Sequence, residues 1–259
     1  VVGAGDEILV RAWGQVNINL RLVVDRNGAI DIPKVGVVEV SGLKAEELEG
    51  FLKAQVGRVF KNFQMNVTLG RLRSIQVLMV GHVQRPGNYT ISAMSTLINA
   101  LFASGGPSAV GSMRKIQLRR GNVVIAEMDL YDLLLKGDKS KDMRLLQGDV
   151  IHVPPLGPLV ALSGSIQVPA VFELKGQESV DDLLKYAGGF SATAFSGRVT
   201  IERIKNGLKR EILEMALDTK GRAMEVENGD LIQVLPISPR FDKVILVRGH
   251  VSFPRRVPW

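Results

Sequence analysis

A chain of 259 residues exceeds one compact domain and leaves room for two to four modules with separate cores. Hydrophobic residues at 46% and charged residues at 23% exclude a disordered or fibrous chain, while 27 glycines, 11 prolines and only 5% aromatics point to short, β-rich elements joined by tight turns. The lack of cysteine excludes a disulfide framework and a thiolate metal centre, whereas a net charge of +7 leaves nucleic acid, anionic lipid and acidic polymers open as partners.

In chain order, Gly5-Asp6 opens an apolar strand at Ile8 to Val10, Asn27-Gly28 has the composition of a hairpin turn, and Ala45 to Val56 carries a helical pattern. These signals make residues 1–72 a separate α+β domain. Beyond it the sequence repeats. Gly81-His82-Val83-Gln84-Arg85-Pro86 recurs 83 residues on as Gly164-Ser165-Ile166-Gln167-Val168-Pro169, and after a further 85 as Gly249-His250-Val251-Ser252-Phe253-Pro254. Ser104-Gly105-Gly106 answers Ala187-Gly188-Gly189, and Gly148-Asp149 answers Gly229-Asp230. The repeat predicts two full modules, 73–156 and 157–239, and the opening of a third at 240–259.

Each module reads as a hairpin followed by a helix and further strands. In the first, Ile75 to Val80 and Asn88 to Ile91 flank the glycine–proline turn. Ser95 or Thr96 then caps a helix whose Leu97, Ile98, Leu101 and Phe102 share a face, and Gly105-Gly106 ends it. The second copy repeats this with Ser179, Leu183, Leu184 and Gly188. Strands at Lys115 to Arg120 and Val123 to Met128 surround the Gly121-Asn122 turn, a short helix spans Asp129 to Leu135, and Val150 to Val153 closes the unit as a small sheet wrapped on one helix. The most apolar stretch, Val150 to Leu162, is broken by Pro154, Pro155, Gly157 and Pro158, so it does not cross a bilayer as a helix. Val1 is not a methionine and Trp259 falls within a recurring motif, so the chain reads as a piece of a longer protein.

Few residues carry the pattern of a reactive site. His82 and His250 share a repeat position beside a turn glycine without a neighbouring ligand cluster, and read as exposed turn residues. Asp6, Asp149 and Asp230 each follow glycine and precede an apolar strand, which suits side-chain turn formation rather than paired acid–base chemistry. Gly105-Gly106 and Gly188-Gly189 end helices and lack the spacing of a phosphate loop, and no GxSxG elbow is present. Trp13, Tyr89, Tyr131 and Tyr186 have the chemistry to stack on sugars, but core packing is the default for them. Basic residues cluster at Arg114-Lys115, Arg119-Arg120, Lys205, Lys209-Arg210 and Arg255-Arg256, where charged strand edges and solvated faces are the ordinary reading. Arg119 and Arg120 are the candidate contacts to an anionic polymer.

Taken as a set, Gly5-Asp6-Glu7-Ile8, Trp13-Gly14, Asp25-Arg26-Asn27-Gly28-Ala29-Ile30 and Ile32-Pro33-Lys34-Val35-Gly36 resemble the polysaccharide export domain. The Gly81 to Pro86, Gly105-Gly106 and Gly148-Asp149 pattern resembles the soluble-ligand-binding β-grasp (SLBB) module, which follows the export domain in outer-membrane polysaccharide export proteins of the Wza type. The resemblance covers nearly the whole chain, and its force lies in the succession of modules. The second copy departs from the first, with Ser165 in place of His82 and Val168 in place of Arg85.

The resemblance implies an α+β chain, with an N-terminal export domain followed by tandem small β-grasp modules. It implies a homo-oligomeric ring in the periplasm, associated with the outer membrane of a Gram-negative bacterium through segments not contained in this chain. The ring would carry capsular polysaccharide or exopolysaccharide as cargo and meet an inner-membrane polysaccharide co-polymerase. No catalysis, cofactor, metal or nucleic-acid partner is expected. A competing reading is a small-ligand receptor or adaptor on the same modules, distinguished by saturable binding of one defined ligand without ring formation.

Overall fold

The computed structural model describes residues 1–15, 17–238 and 243–259; the boundary expected at 239/240 lies outside them. The fold is α+β, and it divides into two compact units, Val1–Pro155 and Leu156–Trp259.

In the first unit, β1 (Glu7–Gly14) pairs antiparallel with β2 (Ile18–Val23), and β3 (Ala29–Ile32) forms a separate hairpin with β4 (Gly36–Glu39). α1 (Ala45–Val56) follows, and β5 (Phe63–Leu69) returns to the far side of β1, giving the order β2-β1-β5. α1 starts where the Glu47 carboxylate accepts from the Lys44 backbone N–H at 3.0 Å. Its Leu48, Leu52 and Val56 pack with Ile8, Val10, Met65 and Val67 in one core. Strand alternation turns Ile8, Val10 and Ala12 inward and Leu9, Arg11 and Trp13 to the other face.

β6 (Ser74–Gly81) and β7 (Gly87–Ser92) are the hairpin of the first repeat; α2 (Leu97–Ala103), β8 (Ile116–Arg120), β9 (Val123–Met128), α3 (Leu130–Lys136) and β10 (Val150–Val153) complete it. The sheet order is β7-β6-β10-β8-β9, with β10 parallel to β6 and antiparallel to β8. First and last strands lying parallel at the centre, with two outer hairpins, is the β-grasp arrangement. The core contains Val77, Met79, Leu118 and Ile151 from the sheet with Leu97, Ile98 and Leu101 from α2. Two expectations change here. Phe102 is 55% exposed: at about 100° per residue it lies about 40° beyond Ile98, past one margin of the buried stripe, and Ala100 fills the other. The sheet packs on more than one helix, since α3 adds Leu130 to the same core.

The second unit repeats the plan. β11 (Leu159–Gly164), β12 (Ala170–Glu173), α4 (Val180–Tyr186), β13 (Ala194–Lys205), β14 (Lys209–Ala216), the short α5 (Thr219–Arg222) and β15 (Leu231–Pro236) give the order β12-β11-β15-β13-β14. β15 is parallel to β11, as β10 is to β6. The recurrent motif glycine has a steric cause in both sheets. A Cβ at Gly81 would lie 2.1 Å from the Val153 carbonyl oxygen, and one at Gly164 the same 2.1 Å from that of Val234, with φ of +83° and +87°. β16 (Val244–Val247) and β17 (Arg255–Pro258) then form an antiparallel hairpin around the third copy of the motif. Among the described residues no helix is long and apolar enough to cross a membrane.

The segment leaving β5 is fastened to the first domain. The Asp6 carboxylate, 2% exposed, accepts from the Arg73 backbone N–H at 2.8 Å and from its guanidinium at 2.6 Å, while the Arg73 carbonyl accepts from Ala93 N–H at the end of the β6–β7 hairpin.

Candidate functional site

Arg119 and Arg120 sit at the end of β8 with different surroundings. Ile116 and Leu118 point into the core, and the pairing with β9 shifts register between Leu118 and Arg119. The extra residue, Ile125, is on β9, and it is the unbroken alternation of β8 that gives successive arginines opposite faces and unlike roles. Arg120 Nε and Nη2 donate to the two carboxylate oxygens of buried Asp149 at 2.8 and 2.9 Å, a bidentate pair. Hydrogen bonding to Asp149 holds the Arg120 guanidinium further toward its charged form, against the opposing effect of burial. Arg119 lies on the outer sheet face, in a cross-strand row with Leu78, Val150 and Val124, and has no ion-pair partner among the described residues.

The Arg120–Asp149 pair recurs. Arg203, on β13, donates Nε and Nη2 to the Asp230 carboxylate at 2.9 and 2.6 Å, with Glu227 as a further partner of its Nη1. The guanidinium is likewise held toward its cation, by hydrogen bonding to Asp230 first, against burial, then by the charges of Asp230 and Glu227. Each aspartate also accepts a backbone N–H from three residues upstream: Gly3 to Asp6, Leu146 to Asp149, and Glu227 to Asp230. The turn role expected for these carboxylates is therefore present, with an arginine added to each. Sequence reading singled out Arg120 as a polymer contact but missed these arginine–aspartate pairings, although the 83-residue offset that relates Arg120 to Arg203 was available. By the same offset Arg119 corresponds to Glu202, which pairs with Arg210 at 3.7 Å, so the outward cation of the first module is an anion in the second.

The other basic clusters are also engaged. Arg114 departs from the solvated reading: it is 4% exposed, donates Nε to Asp129 at 3.0 Å and lies 4.2 Å above the Tyr131 ring. Lys205 pairs with Glu211, and Arg198 with Glu214, across β13 and β14. His82 and His250 are exposed. Among the described residues no three or more His, Asp or Glu side chains gather as a metal site. An open depression of about 600 Å³ between α4 and α5 is lined by Ser179, Asp181, Asp218 and Arg222, whose polar atoms serve helix caps and the Arg222–Asp181 pair.

The aromatic residues divide. Tyr186 stands 6.0 Å from Phe172, and Tyr89 donates its hydroxyl to the Arg85 carbonyl at 2.8 Å. Trp13 contradicts the expectation of core packing: it is 53% exposed, because it shares the parity of Leu9 and Arg11 rather than that of the buried Ile8, Val10 and Ala12.

Residues 1–70 match the family described as polysaccharide biosynthesis/export protein, and residues 75–153 and 159–212 each match the SLBB domain. Over 237 residues the chain is 30% identical to the polysialic acid transport protein KpsD of Escherichia coli, covering 90% of this chain and 41% of that protein. Over 180 residues it is 28% identical to the EPS I polysaccharide export outer membrane protein EpsA of Ralstonia solanacearum, covering 68% of this chain and 48% of the relative. The chain thus spans less than half the length of these curated relatives.

Proposed function

Because the chain belongs to the polysaccharide export proteins of the Wza type, we propose that it is a subunit of an envelope channel that passes capsular polysaccharide or exopolysaccharide outward without making or breaking a bond. The observation that carries this reading is the succession itself: an export domain, then two β-grasp sheets of identical strand order. The subunits close into a homo-oligomeric ring in the periplasm, associated with the outer membrane, and receive polymer from an inner-membrane co-polymerase. The domains run 1–72, 73–156 and 157–239, with 240–259 opening a third module.

An acidic cargo is favoured by the net charge of +7 and by the polysialic acid in the name of one relative. Arg119 and Arg120 are the proposed contacts, with Arg119 presenting the outward charge because Arg120 is tied to Asp149. The test is surface polysaccharide after clean deletion of the gene and after complementation. Loss of surface polymer with retention inside the envelope, reversed by the gene, is expected; unchanged surface and secreted polymer would sink the reading in favour of a ligand-binding adaptor.

A further inference from the structure

We propose that the outer face of the β2-β1-β5 sheet binds stretches of acidic polysaccharide. This rests on the export reading for the identity of its ligand class and adds where the chain meets it. Strand register places the side chains as a grid. Arg21, Leu9 and Thr68 form one cross-strand row, Asn19, Arg11 and Asn66 the next, and Trp13 and Gln64 a third. All but Leu9 are exposed, with Trp13 at 53%.

The chemistry of the grid matches a sugar acid. A pyranose ring has a flat C–H face that the indole of Trp13 can cover, and hydroxyls around its rim that Asn and Gln amides can both donate to and accept from. Its carboxylate suits an arginine fork. Arg11 and Arg21 have no ion-pair or side-chain hydrogen-bond partner among the described residues. The two acids at the margins of the face are already engaged: Glu7 accepts from the Arg71 backbone N–H, and Glu49 accepts from Asn66 Nδ2 and Val67 N–H. Neither acid pairs with Arg11 or Arg21, so both guanidiniums stay open to a sugar carboxylate beside an exposed indole, a combination that a neutral sugar chain cannot fully use.

Both the rigidity and the extent of the surface favour a polymer. The three strands are fixed by the Ile8, Val10, Ala12, Met65 and Val67 core beneath them, so little ordering is needed on binding. From Leu9 to Trp13 the face runs about 14 Å along β1 and about 10 Å across the strands, more than one sugar ring occupies. Several weak contacts of this kind hold a chain while letting it move on, as passage requires.

The test uses the full chain carrying W259F, which leaves Trp13 as the only tryptophan of the original 2. Oligomers of α2,8-linked sialic acid and of a polyuronate are titrated in, with size-matched dextran as the neutral control. A saturable change in Trp13 emission with the acidic oligomers, absent with dextran and weakened by salt, is expected. By calorimetry, W13A and the double change R11Q/R21Q should each lower affinity about tenfold or more while leaving the circular dichroism spectrum unchanged. A silent Trp13 with both acidic oligomers, or unchanged affinity in both variants, overturns the proposal. So does a W13A chain that binds sugar normally but loses self-association in sedimentation, since the face would then contact a second copy. If gene deletion leaves surface polymer intact while Trp13 still titrates, the export reading fails and the binding surface stands; if deletion abolishes surface polymer but Trp13 is silent, the reverse holds.

Discussion

The buried carboxylates of Asp149 and Asp230 would be costly alone, and their arginines make them tolerable. The two pairs differ in exposure: the Arg203 side chain is 12% exposed, that of Arg120 37%. Truncation should follow that difference. R203A is expected to cost about 3 kcal/mol, because it leaves Asp230 charged in a dry site, whereas R120A costs roughly 1–2 kcal/mol because water reaches the vacated position. Hydrogen exchange reads the two separately in the intact chain, with protection falling across β13–β15 in one and β8–β10 in the other. These pairs were hidden in the sequence because the partners lie 29 and 27 residues apart, a separation set by the last strand inserting between the first and third. Trp13 was legible. Period-2 alternation through Leu9-Val10-Arg11-Ala12-Trp13 puts it opposite the core, and the default for an aromatic residue overrode that signal.

Elements were read well where local chemistry decides them. The α4 cap is a clear instance: Ser179 Oγ donates to Asp182 at 2.7 Å and accepts from the Asp182 N–H at 3.3 Å. The Ser179 hydrogen bonds hold the Asp182 carboxyl below its ordinary range, and Lys185 followed by Arg222 does the same for Asp181. Carboxylates whose folded pKa is depressed contribute stability above their unfolded value, near ~3.9, and lose that contribution as pH falls through the folded value. Protection of the α4 amides, taken relative to the intrinsic exchange rate at each pH, should therefore fall below about pH 4. S179A should cost about 1 kcal/mol by removing the cap. Other elements needed the tertiary structure. Seven residues of α2 leave a narrow buried stripe, and whether it extends to Ala100 or to Phe102 depends on the sheet beneath. The motif glycines looked like turn residues, yet their sharper constraint is the carbonyl of a strand about 70 residues away. G164A should be destabilising by roughly 2 kcal/mol or more, seen as a lower urea midpoint for the second unit.

Across the whole molecule, the repeat offsets carried most of the architecture. Because hairpin, helix, strand pair and closing strand recur at fixed spacing, one sheet order describes both modules, and the sequence offered that period directly. Surface character does not follow the period, as the exchange of Arg119 for Glu202 shows. The modules share a scaffold and differ in what they present outward. R119E is the variant that tests polymer contact cleanly, since it reverses an outward charge without disturbing Asp149. It is expected to lower export of an acidic polymer several-fold while leaving unfolding unchanged, whereas R120E would set two carboxylates together and unfold the sheet. Equal export in R119E and the unaltered chain would remove Arg119 from the polymer path.

The Asp6–Arg73 clamp has a mechanical meaning. The stretch after β5 is short, residues 70–73, and Asp6 grips both the backbone and the guanidinium of Arg73, while the Arg73 carbonyl is bonded to the β6–β7 hairpin. Slack that would otherwise absorb a pull is thereby taken out. Tension applied to the first sheet arrives at β6, the strand at the middle of the next, as if through a stiff coupling rather than a string.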